Sequence, residues 1–401
     1  MNKRPSLDNA NAEEHIDFSK DLLTDPKIRG VTDIAHQIVA VASSRSRDSA
    51  QAFLSRINHP FPAEVAAYGS YVELVADSSV DIVYVATPHS HHFQNCMLAF
   101  EHGKHVLCEK SLTVTAEQTR CLIEEARRRK LFLMEAMWTR FFPLSIEIRE
   151  LVRARAIGQI SRVISDLSLD CNSNNESGGR SVPNSHRLLD MDLAGGAQLD
   201  LGVYPINWIF QILYHTRPDD DKEIPQITAC VQRHSNGADE SNVTVLSFPG
   251  QKLIGVATSS FRIDHDTDGL CSNVGVCIQG SLGEIQIGTP ASRPTWYKLL
   301  KKTADGRGTI KTVQYPQPFD EKRRWGHGTF WEADECARCI RDGKMESSVM
   351  PLSESLLIME VLEQSLQHGG VKYPEAIRSS VYERDHMLNG GKRQLEESTL
   401  I

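Results

Sequence analysis

The stretch DIVYVATPHSHHFQNCMLAFEHGKHVLCEK, residues 81–110, decides the fold. Its apolar run DIVYVATP (81–88) predicts a buried strand, residues 90–102 predict a helix that Gly103 ends, and HVLCEK (105–110) predicts the next strand. A strand, a helix and a second strand at this spacing predict a right-handed βαβ unit in a parallel sheet. Such a sheet binds ligands at the carboxyl ends of its strands.

The same alternation extends on both sides of this stretch. Further predicted elements are helices over 16–23, 47–57 and 115–129 and strands over 38–42 and LFLMEAM (131–137). The helix over 115–129 ends in ARRRK, and basic residues suit the helix dipole there. Residues 16–157 are therefore predicted to form a Rossmann-type parallel-sheet domain, preceded by a polar, disordered leader over 1–15.

Beyond Gly158 the pattern changes to β-rich runs joined by short turns. These runs are RVISDLSL (162–169), QITACVQR (226–233), NVTVLSFP (242–249), KLIGVATSS (252–260), NVGVCIQG (273–280) and EIQIG (284–288). They predict an open antiparallel-sheet domain over 158–382, with a helix at about 197–214 and closing helices near 328–342 and 352–368. Residues 383–401 are predicted to form a polar tail. The predicted fold class is α/β followed by α+β.

Bulk composition narrows the function. The chain has 401 residues and a formal net charge of -8, which argues against a nucleic-acid or anionic-membrane partner. No apolar run approaches the ~20 residues of a membrane span, and the first residues lack the apolar region of a secretory signal, so the cytosol is expected. The nine cysteines are predicted to be free thiols. Cys336 and Cys339 fall in a helical pattern and are expected to pack rather than bind metal.

Three short segments carry candidate chemistry. Lys110 ends a predicted parallel strand beside Glu109, where its ammonium could orient a hydroxyl, but a solvated strand-end lysine is an equal alternative. In LAGGAQLDLGVYP (193–205), Asp200 and Tyr204 are four residues apart and share one helix face. A phenol beside a carboxylate and near a lysine suits proton transfer, although helix capping by Asp200 and packing of Tyr204 are slightly favoured without further evidence.

The third segment is VATPHSHHF, residues 85–93, in which a strand ends in Thr-Pro and enters a helix. Such a turn offers backbone N–H groups to a cofactor. Its three histidines, His89, His91 and His92, do not lie on one helix face, so a metal site is not predicted.

Together TPHSHH, GKHVLCEK, LMEAMWTRFFP (133–143) and GGAQLDLGVYP resemble the glucose–fructose oxidoreductase, inositol dehydrogenase and MocA family. Within it they are most similar to the branch of NADP-dependent D-xylose 1-dehydrogenases and dimeric dihydrodiol dehydrogenases, particularly fungal ones. The resemblance covers residues 18–376. It implies hydride transfer between NADP and an aldose or a trans-dihydrodiol, and a homodimer formed through the antiparallel sheet.

The resemblance also implies residue roles. Lys110 and Tyr204 would be catalytic, and Asp200 would orient them. Residues implied to contact the cofactor are Ser43, Arg45, Arg47, Thr87, Pro88, His92, Glu109, Lys110, Trp138 and Arg140. Ser43, Arg45 and Arg47 suit the 2′-phosphate of NADP, because an acidic residue stands there in NAD enzymes. His186 and Arg187 are candidate substrate contacts.

The N-terminal part of the sequence departs from the family pattern. The family begins with an apolar strand and a Gly-x-Gly-x-x-Ala turn, whereas Gly30 is the only glycine before Gly69 and no β-rich run precedes residue 38. The first strand and pyrophosphate loop are therefore expected to be replaced by the polar leader. Of three explanations, a truncated or mis-spliced gene product is preferred. The alternatives are a dimerising pseudoenzyme, and a partner or rearranged segment that fills the place of the first strand. Ser111 also replaces the family's proline.

Overall fold

The computed structural model describes residues 10–171, 182–267, 269–303 and 308–390, with side chains from residue 16 onward. Its first part alternates helices and short strands. The elements are α1 (Ala10–Leu22), β1 (Ala40–Ala42), α2 (Arg47–Arg56), β2 (Ala66–Tyr68), α3 (Tyr71–Ala76), β3 (Ile82–Val85), α4 (His89–Glu101), β4 (His105–Glu109), α5 (Ala116–Arg129), β5 (Leu133–Ala136) and α6 (Pro143–Arg153). The predicted α/β alternation is confirmed, while β2, α3 and α6 were not predicted.

Local side-chain chemistry explains several of these boundaries. Ser46 caps α2 by accepting a hydrogen bond from the backbone N–H of Ser49 at 3.1 Å. Thr115 caps α5 in the same way, accepting from Gln118 at 3.3 Å. Gly103 follows α4 with φ of 72°, a left-handed conformation that glycine adopts without steric cost.

The short strands form two parallel sheets. β1 pairs with β2, and β3, β4 and β5 pair in that order. Within the described residues no strand joins β1 to β3, and no strand precedes β1. The idea that the leader replaces a first strand and glycine loop stays a prediction.

The second part is built on one eight-stranded sheet. Its strands are β6 (Ile160–Ser168), β7 (Gln226–Arg233), β8 (Asp239–Phe248), β9 (Leu253–Ser260), β10 (Val274–Gly280), β11 (Gly283–Gly288), β12 (Trp296–Lys302) and β13 (Gly308–Gln314). The order across the sheet is β13-β12-β11-β10-β6-β9-β8-β7. The predicted antiparallel pairing is confirmed between all other neighbours in this sheet, whereas β6 and β9 run parallel, so the sheet is mixed.

Helices of the second part pack on this sheet or against the first part. They are α7 (Val203–Leu213), which follows a π-helical turn over Gln198–Gly202, α8 (Phe330–Arg341), α9 (Leu352–His368), α10 (Glu375–Arg378) and α11 (Met387–Gly390). Helix α9 packs against both β7 and α5, so the closing helices join the two parts. No helix in the described ranges is long and apolar enough to cross a membrane.

The polar leader and the polar tail predicted from the sequence are both shorter than expected. Helix α1 begins at Ala10, inside the leader predicted to be disordered over 1–15. Asp21 anchors this helix, because its carboxylate accepts hydrogen bonds from the backbone N–H groups of His327, Gly328 and Thr329. In the predicted tail, Asn389 is buried and accepts a hydrogen bond from Asn95 at 3.0 Å. Residues 391–401 lie outside the described part.

Arg140 lies in the interior of the protein. Its side chain is 0% exposed, and it donates to Glu354 at 2.6 Å and to Asn207 at 2.6 Å. His215 contacts the other oxygen of Glu354 at 2.8 Å. A buried guanidinium requires a carboxylate partner, and Glu354 satisfies that need, while the implied contact of Arg140 with the cofactor stays a prediction. Although burial raises the pKa of Glu354, attraction by Arg140 and His215 lowers it to about 2.

We expect Glu354→Gln to reduce the free energy of unfolding by about 3–5 kcal/mol at pH 7, because Arg140 would keep a buried charge without its counter-ion. The folded-state pKa lies below the ordinary value of 4.5, so the carboxylate stabilises the fold above that value. The difference in the free energy of unfolding between the variant and the parent protein should therefore decrease as the pH falls from 4.5 towards 2. Urea denaturation at several pH values measures both effects.

The matched control is Glu150→Gln, which breaks the surface pair between Glu150 and Arg153. Solvent screens that pair, so the loss should stay below about 1 kcal/mol. Equal losses for the two variants would contradict a special role for the buried pair.

Candidate active site

A cavity of about 1210 Å³ opens at the carboxyl ends of β1, β3 and β4. Its wall includes Ser43 after β1, Thr87 after β3 and Lys110 after β4. Arg187 and Asp200 contribute to the same wall from the second part of the chain. The cavity therefore lies where parallel α/β sheets bind ligands, between the two parts of the molecule.

Lys110 is held at the base of this cavity and is not a solvated strand-end lysine. Its side chain is 3% exposed, and its ammonium donates to the backbone oxygen of Asp200 at 3.0 Å and to the carboxylate at 3.2 Å. The neighbouring Ser111 is buried, and its hydroxyl donates to the backbone oxygen of Leu199 at 2.9 Å. The serine that replaces the family's proline is thus tied to the second part of the chain.

Asp200 receives a second cation from Arg187, whose guanidinium lies 3.1 Å from the same carboxylate oxygen. Burial raises the pKa of Asp200, but attraction by Lys110 and Arg187 outweighs it and holds the pKa well below its usual range. Asp200 is therefore ionised at neutral pH. Gly195 permits this close packing, because a Cβ there would lie only 2.6 Å from the backbone oxygen of Arg187.

Tyr204 lies next to this ion pair. The Lys110 ammonium is 5.2 Å from the centre of the Tyr204 ring, and the Trp138 indole N–H donates to the phenol oxygen at 2.6 Å. Trp138 is itself stacked on His327, with ring centres 5.0 Å apart. The structure therefore brings together Lys110, Asp200, Tyr204 and Trp138, all of which the sequence had singled out. A carboxylate, an ammonium and a phenol in this arrangement can exchange a proton with a bound hydroxyl.

The histidines of the 85–93 segment have different environments. His89 lines the cavity, and burial lowers its pKa to about 3, assisted by the nearby His92, so the imidazole is neutral at pH 7. The sequence had not assigned His89 a role, although its place after the Thr-Pro turn was a usable signal. His92 is 1% exposed and its two ring nitrogens contact the backbone oxygens of Thr87 and Ser111 at 2.8 and 2.9 Å. It joins two loops rather than lining the cavity, so its predicted cofactor contact is not supported.

The other residues of this edge are also engaged with protein groups. Pro88 lines the cavity, and the Thr87 hydroxyl donates to Asn95 at 2.9 Å. Glu109 lines the cavity and accepts a hydrogen bond from the Tyr84 hydroxyl. Among the residues whose positions are given, no cluster of three or more metal-ligating side chains occurs.

The opposite end of the cavity carries the predicted phosphate contacts. Ser43 and Arg45 lie on its wall, and the Arg45 side chain is exposed. Arg47 is the first residue of α2 and is exposed, but it does not belong to the wall. Of the two substrate candidates, Arg187 lies on the wall, whereas the His186 ring nitrogen faces the backbone N–H of Leu188 at 3.4 Å.

The residues at the two ends of the cavity suit the two ends of a phosphorylated dinucleotide. Arg45 and Ser43 can bind a 2′-phosphate, and Lys110 and Asp200 line the far end of the same cavity, with Tyr204 packed beside Lys110. Fold and site together define the class as a dinucleotide-dependent oxidoreductase. The chain belongs to the GFO/IDH/MocA family, because residues 19–137 match the oxidoreductase family with an NAD-binding Rossmann fold and curated relatives match over most of the chain.

Two curated relatives illustrate the range of the family. The chain is 54% identical over 378 residues to a D-xylose 1-dehydrogenase (NADP(+)) of Hypocrea jecorina, covering 94% of each chain. It is 33% identical over 343 residues to the human trans-1,2-dihydrobenzene-1,2-diol dehydrogenase, covering 85% of this chain and 91% of the relative.

Solved structures agree on the fold. A levoglucosan dehydrogenase in complex with NADH and levoglucosan superposes with a TM-score of 0.72 at 18% identity, covering 90% of this chain and 95% of that one. An aldose-aldose oxidoreductase from Caulobacter crescentus gives a TM-score of 0.66 at 19% identity, covering 86% and 92%. At these identities the likeness concerns the fold alone.

Proposed function

We propose that this protein is an NADP-dependent dehydrogenase that oxidises D-xylose or a similar aldose at C1 to the lactone. The cluster of Lys110, Asp200 and Tyr204 carries this proposal, because it places a proton-transfer system at the ligand-binding edge of a parallel sheet. The 54% identity with a D-xylose 1-dehydrogenase over 94% of both chains supports the substrate class and the cofactor.

The roles of the residues follow from their contacts. Tyr204 acts as the base in its phenolate form, which takes the proton of the C1 hydroxyl and becomes the neutral phenol, and the nearby Lys110 ammonium stabilises the negative charge on either oxygen during the transfer. Asp200 holds Lys110 in place, and the Trp138 N–H fixes the phenol oxygen. NADP bound in the cavity supplies the hydride acceptor for the C1 hydrogen. His89 and Arg187, both on the cavity wall, are candidate contacts to the substrate hydroxyls.

A trans-dihydrodiol is the second candidate substrate, supported by the 33% identical human relative. Comparison of kcat/KM for D-xylose and trans-1,2-dihydrobenzene-1,2-diol with NADP distinguishes the two. A higher value for the diol would replace the aldose proposal. A pseudoenzyme is not favoured, because Lys110, Asp200 and Tyr204 are all present in a connected arrangement.

We also propose a homodimer formed through the open face of the eight-stranded sheet. Val243 and Ile254 are 42% and 45% exposed on this face, and the adjacent Cys230 is also exposed. Exposed apolar side chains on a sheet face are typical of an interface. The nine cysteines are all free thiols, which supports the cytosol as the compartment.

We expect Tyr204→Phe to lower kcat by about 10²-fold or more, the usual contribution of a general acid or base, with a smaller change in KM. Steady-state kinetics with D-xylose and NADP measure this. Tyr214→Phe is a matched control, because that residue is half-buried on the same helix region and away from the cavity wall. Unchanged turnover in Tyr204→Phe would remove this residue from the mechanism.

We expect Arg45→Ala to weaken NADPH binding by about ten- to hundred-fold, because a charge-assisted bond to phosphate contributes about 1.5–3 kcal/mol. NADH lacks that phosphate and should bind almost unchanged. Arg47→Ala is the matched control, since Arg47 is exposed two residues further on but lies off the cavity wall. Titration calorimetry with both cofactors measures the difference. Equal losses of NADPH and NADH affinity in Arg45→Ala would show that Arg45 does not bind the 2′-phosphate.

A further inference from the structure

The active-site helix, residues 197–213, carries Asp200 and Tyr204 and begins at a glycine turn. Gly196 precedes its first residue with φ of 144°, a conformation that L side chains rarely adopt. The first N–H groups of a helix have no acceptor within the helix. This helix starts in the buried interior, so its first N–H groups require an acceptor from elsewhere in the fold.

Asp239, the first residue of β8, supplies such an acceptor. It is 0% exposed, and its carboxylate accepts hydrogen bonds from the backbone N–H of Gln198 at 2.6 Å and from the Asn242 amide at 2.7 Å. A Cβ on Gly196 would lie 2.0 Å from a carboxylate oxygen of Asp239, so the glycine leaves the space that this carboxylate occupies. A negative side chain at a helix N-terminus also interacts favourably with the helix dipole.

Three consecutive residues connect this cap to the candidate active site. Asp239 holds the N–H of Gln198, and two residues later the Lys110 ammonium binds the backbone oxygen and the carboxylate of Asp200, at 3.0 and 3.2 Å. Between them, the backbone oxygen of Leu199 accepts a hydrogen bond from the serine that follows Lys110, at 2.9 Å. A displacement of the Gln198 backbone therefore moves the atoms that hold the Lys110 ammonium.

The Asp239 carboxyl group titrates in the weakly acidic range. Burial raises its pKa to about 6, although the hydrogen bonds from Asn242 and Gln198 favour the ionised form. Because this folded-state pKa exceeds the ordinary value of 3.8, ionisation of Asp239 lowers the free energy of unfolding as the pH rises from 3.8 to about 6. At pH 7 the fold therefore holds this charge at a cost in stability, which is typical of functional sites.

The groups around Asp239 include a neutral phenol and a surface ion pair. Tyr373 donates to the backbone of the glycine turn at 3.0 Å, and burial and, after it, the Asp239 charge raise the pKa of this phenol well above its usual value. Glu240, the next residue of β8, pairs with Arg262 at 3.3 Å, and the Arg262 side chain is 61% exposed. Protonation of Asp239 therefore removes the negative charge that faces the start of the active-site helix.

We propose that Asp239 is a positioning residue of the active site, whose negative charge holds the first turn of the active-site helix where Asp200 and Tyr204 meet Lys110. Protonation of Asp239 weakens its charge-assisted bond to Gln198 and loosens that turn. Turnover then declines in weakly acidic solution, although no group that touches the substrate has changed its charge. The inference rests on the proposed dehydrogenase activity, because turnover is one of its readouts.

The test is Asp239→Asn, which keeps the shape of the side chain and removes its charge. At pH 8, kcat for D-xylose with NADP should fall about ten-fold with little change in KM, because the catalytic groups remain but are displaced. In the parent protein kcat should decline below a pH of about 6, and the variant should lack this decline. The melting temperature of the variant at pH 8 should equal or exceed that of the parent, because the buried charge is gone.

Two further variants serve as controls. Glu240→Gln changes the neighbouring residue of the same strand, which belongs to the surface pair with Arg262, and should leave kcat and its pH dependence unchanged. Glu135→Gln removes a different buried carboxyl group, whose pKa burial raises to about 7, and should retain the decline near pH 6.

Hydrogen exchange followed by mass spectrometry tests the cap without any turnover. Relative to their intrinsic rates, the amides of residues 197–204 in the parent should exchange about ten-fold faster at pH 5 than at pH 8. In Asp239→Asn they should exchange fast at both pH values.

Four results would overturn the role of Asp239. These are undiminished turnover in Asp239→Asn, an unchanged decline near pH 6 in that variant, a melting temperature that falls together with its activity, and pH-independent protection of residues 197–204 in the parent. A parent protein that does not oxidise D-xylose would instead contradict the proposed function, and the exchange experiment would still decide on Asp239.

Discussion

The buried contact between Lys110 and Asp200 is the constraint on which the site depends. Lys110 ends β4 in the first part, and Asp200 lies in the π-helical turn of the second part, so their contact fixes how the two parts meet. A buried charge without a partner costs several kcal/mol, and each of these residues supplies what the other needs. The adjacent hydrogen bond from Ser111 to Leu199 strengthens the same junction. The proposed catalytic residues and the junction between the two parts therefore share one set of contacts.

A second set of contacts supports the junction between the two parts of the chain. Arg140 follows β5, and its partner Glu354 lies at the start of α9, far along the chain. Asp21 of α1 accepts three backbone hydrogen bonds from residues 327–329, and His327 stacks on Trp138. The indole that positions Tyr204 is therefore supported by an anchored loop, which links α1 to the geometry of the site.

Sequence patterns predicted the elements that have local causes and missed those that depend on distant partners. β4 and its terminal Lys110 follow from an apolar run that ends in charged residues, and the βαβ spacing places that lysine at the cavity. β12, with the sequence WYKLLKK, was not predicted, because its lysines obscure the alternation of apolar and polar residues. The buried pairing of Arg140 with Glu354 was not predicted, because nothing near Arg140 in sequence reveals Glu354. The parallel pairing of β6 with β9 likewise depends on the arrangement of the whole sheet.

The charges around the cavity decide which chemistry it can support. Lys110 and Arg187 are positive, Asp200 is negative, and burial keeps His89 neutral at pH 7, so these four side chains carry one net positive charge. Without Asp200 the two cations would repel each other in a poorly solvated space. With it, the Lys110 ammonium is held beside Tyr204, where an alkoxide develops as a hydroxyl loses its proton. A preorganised charge of this kind stabilises the transition state more than the neutral substrate, which favours oxidation of an alcohol at this position.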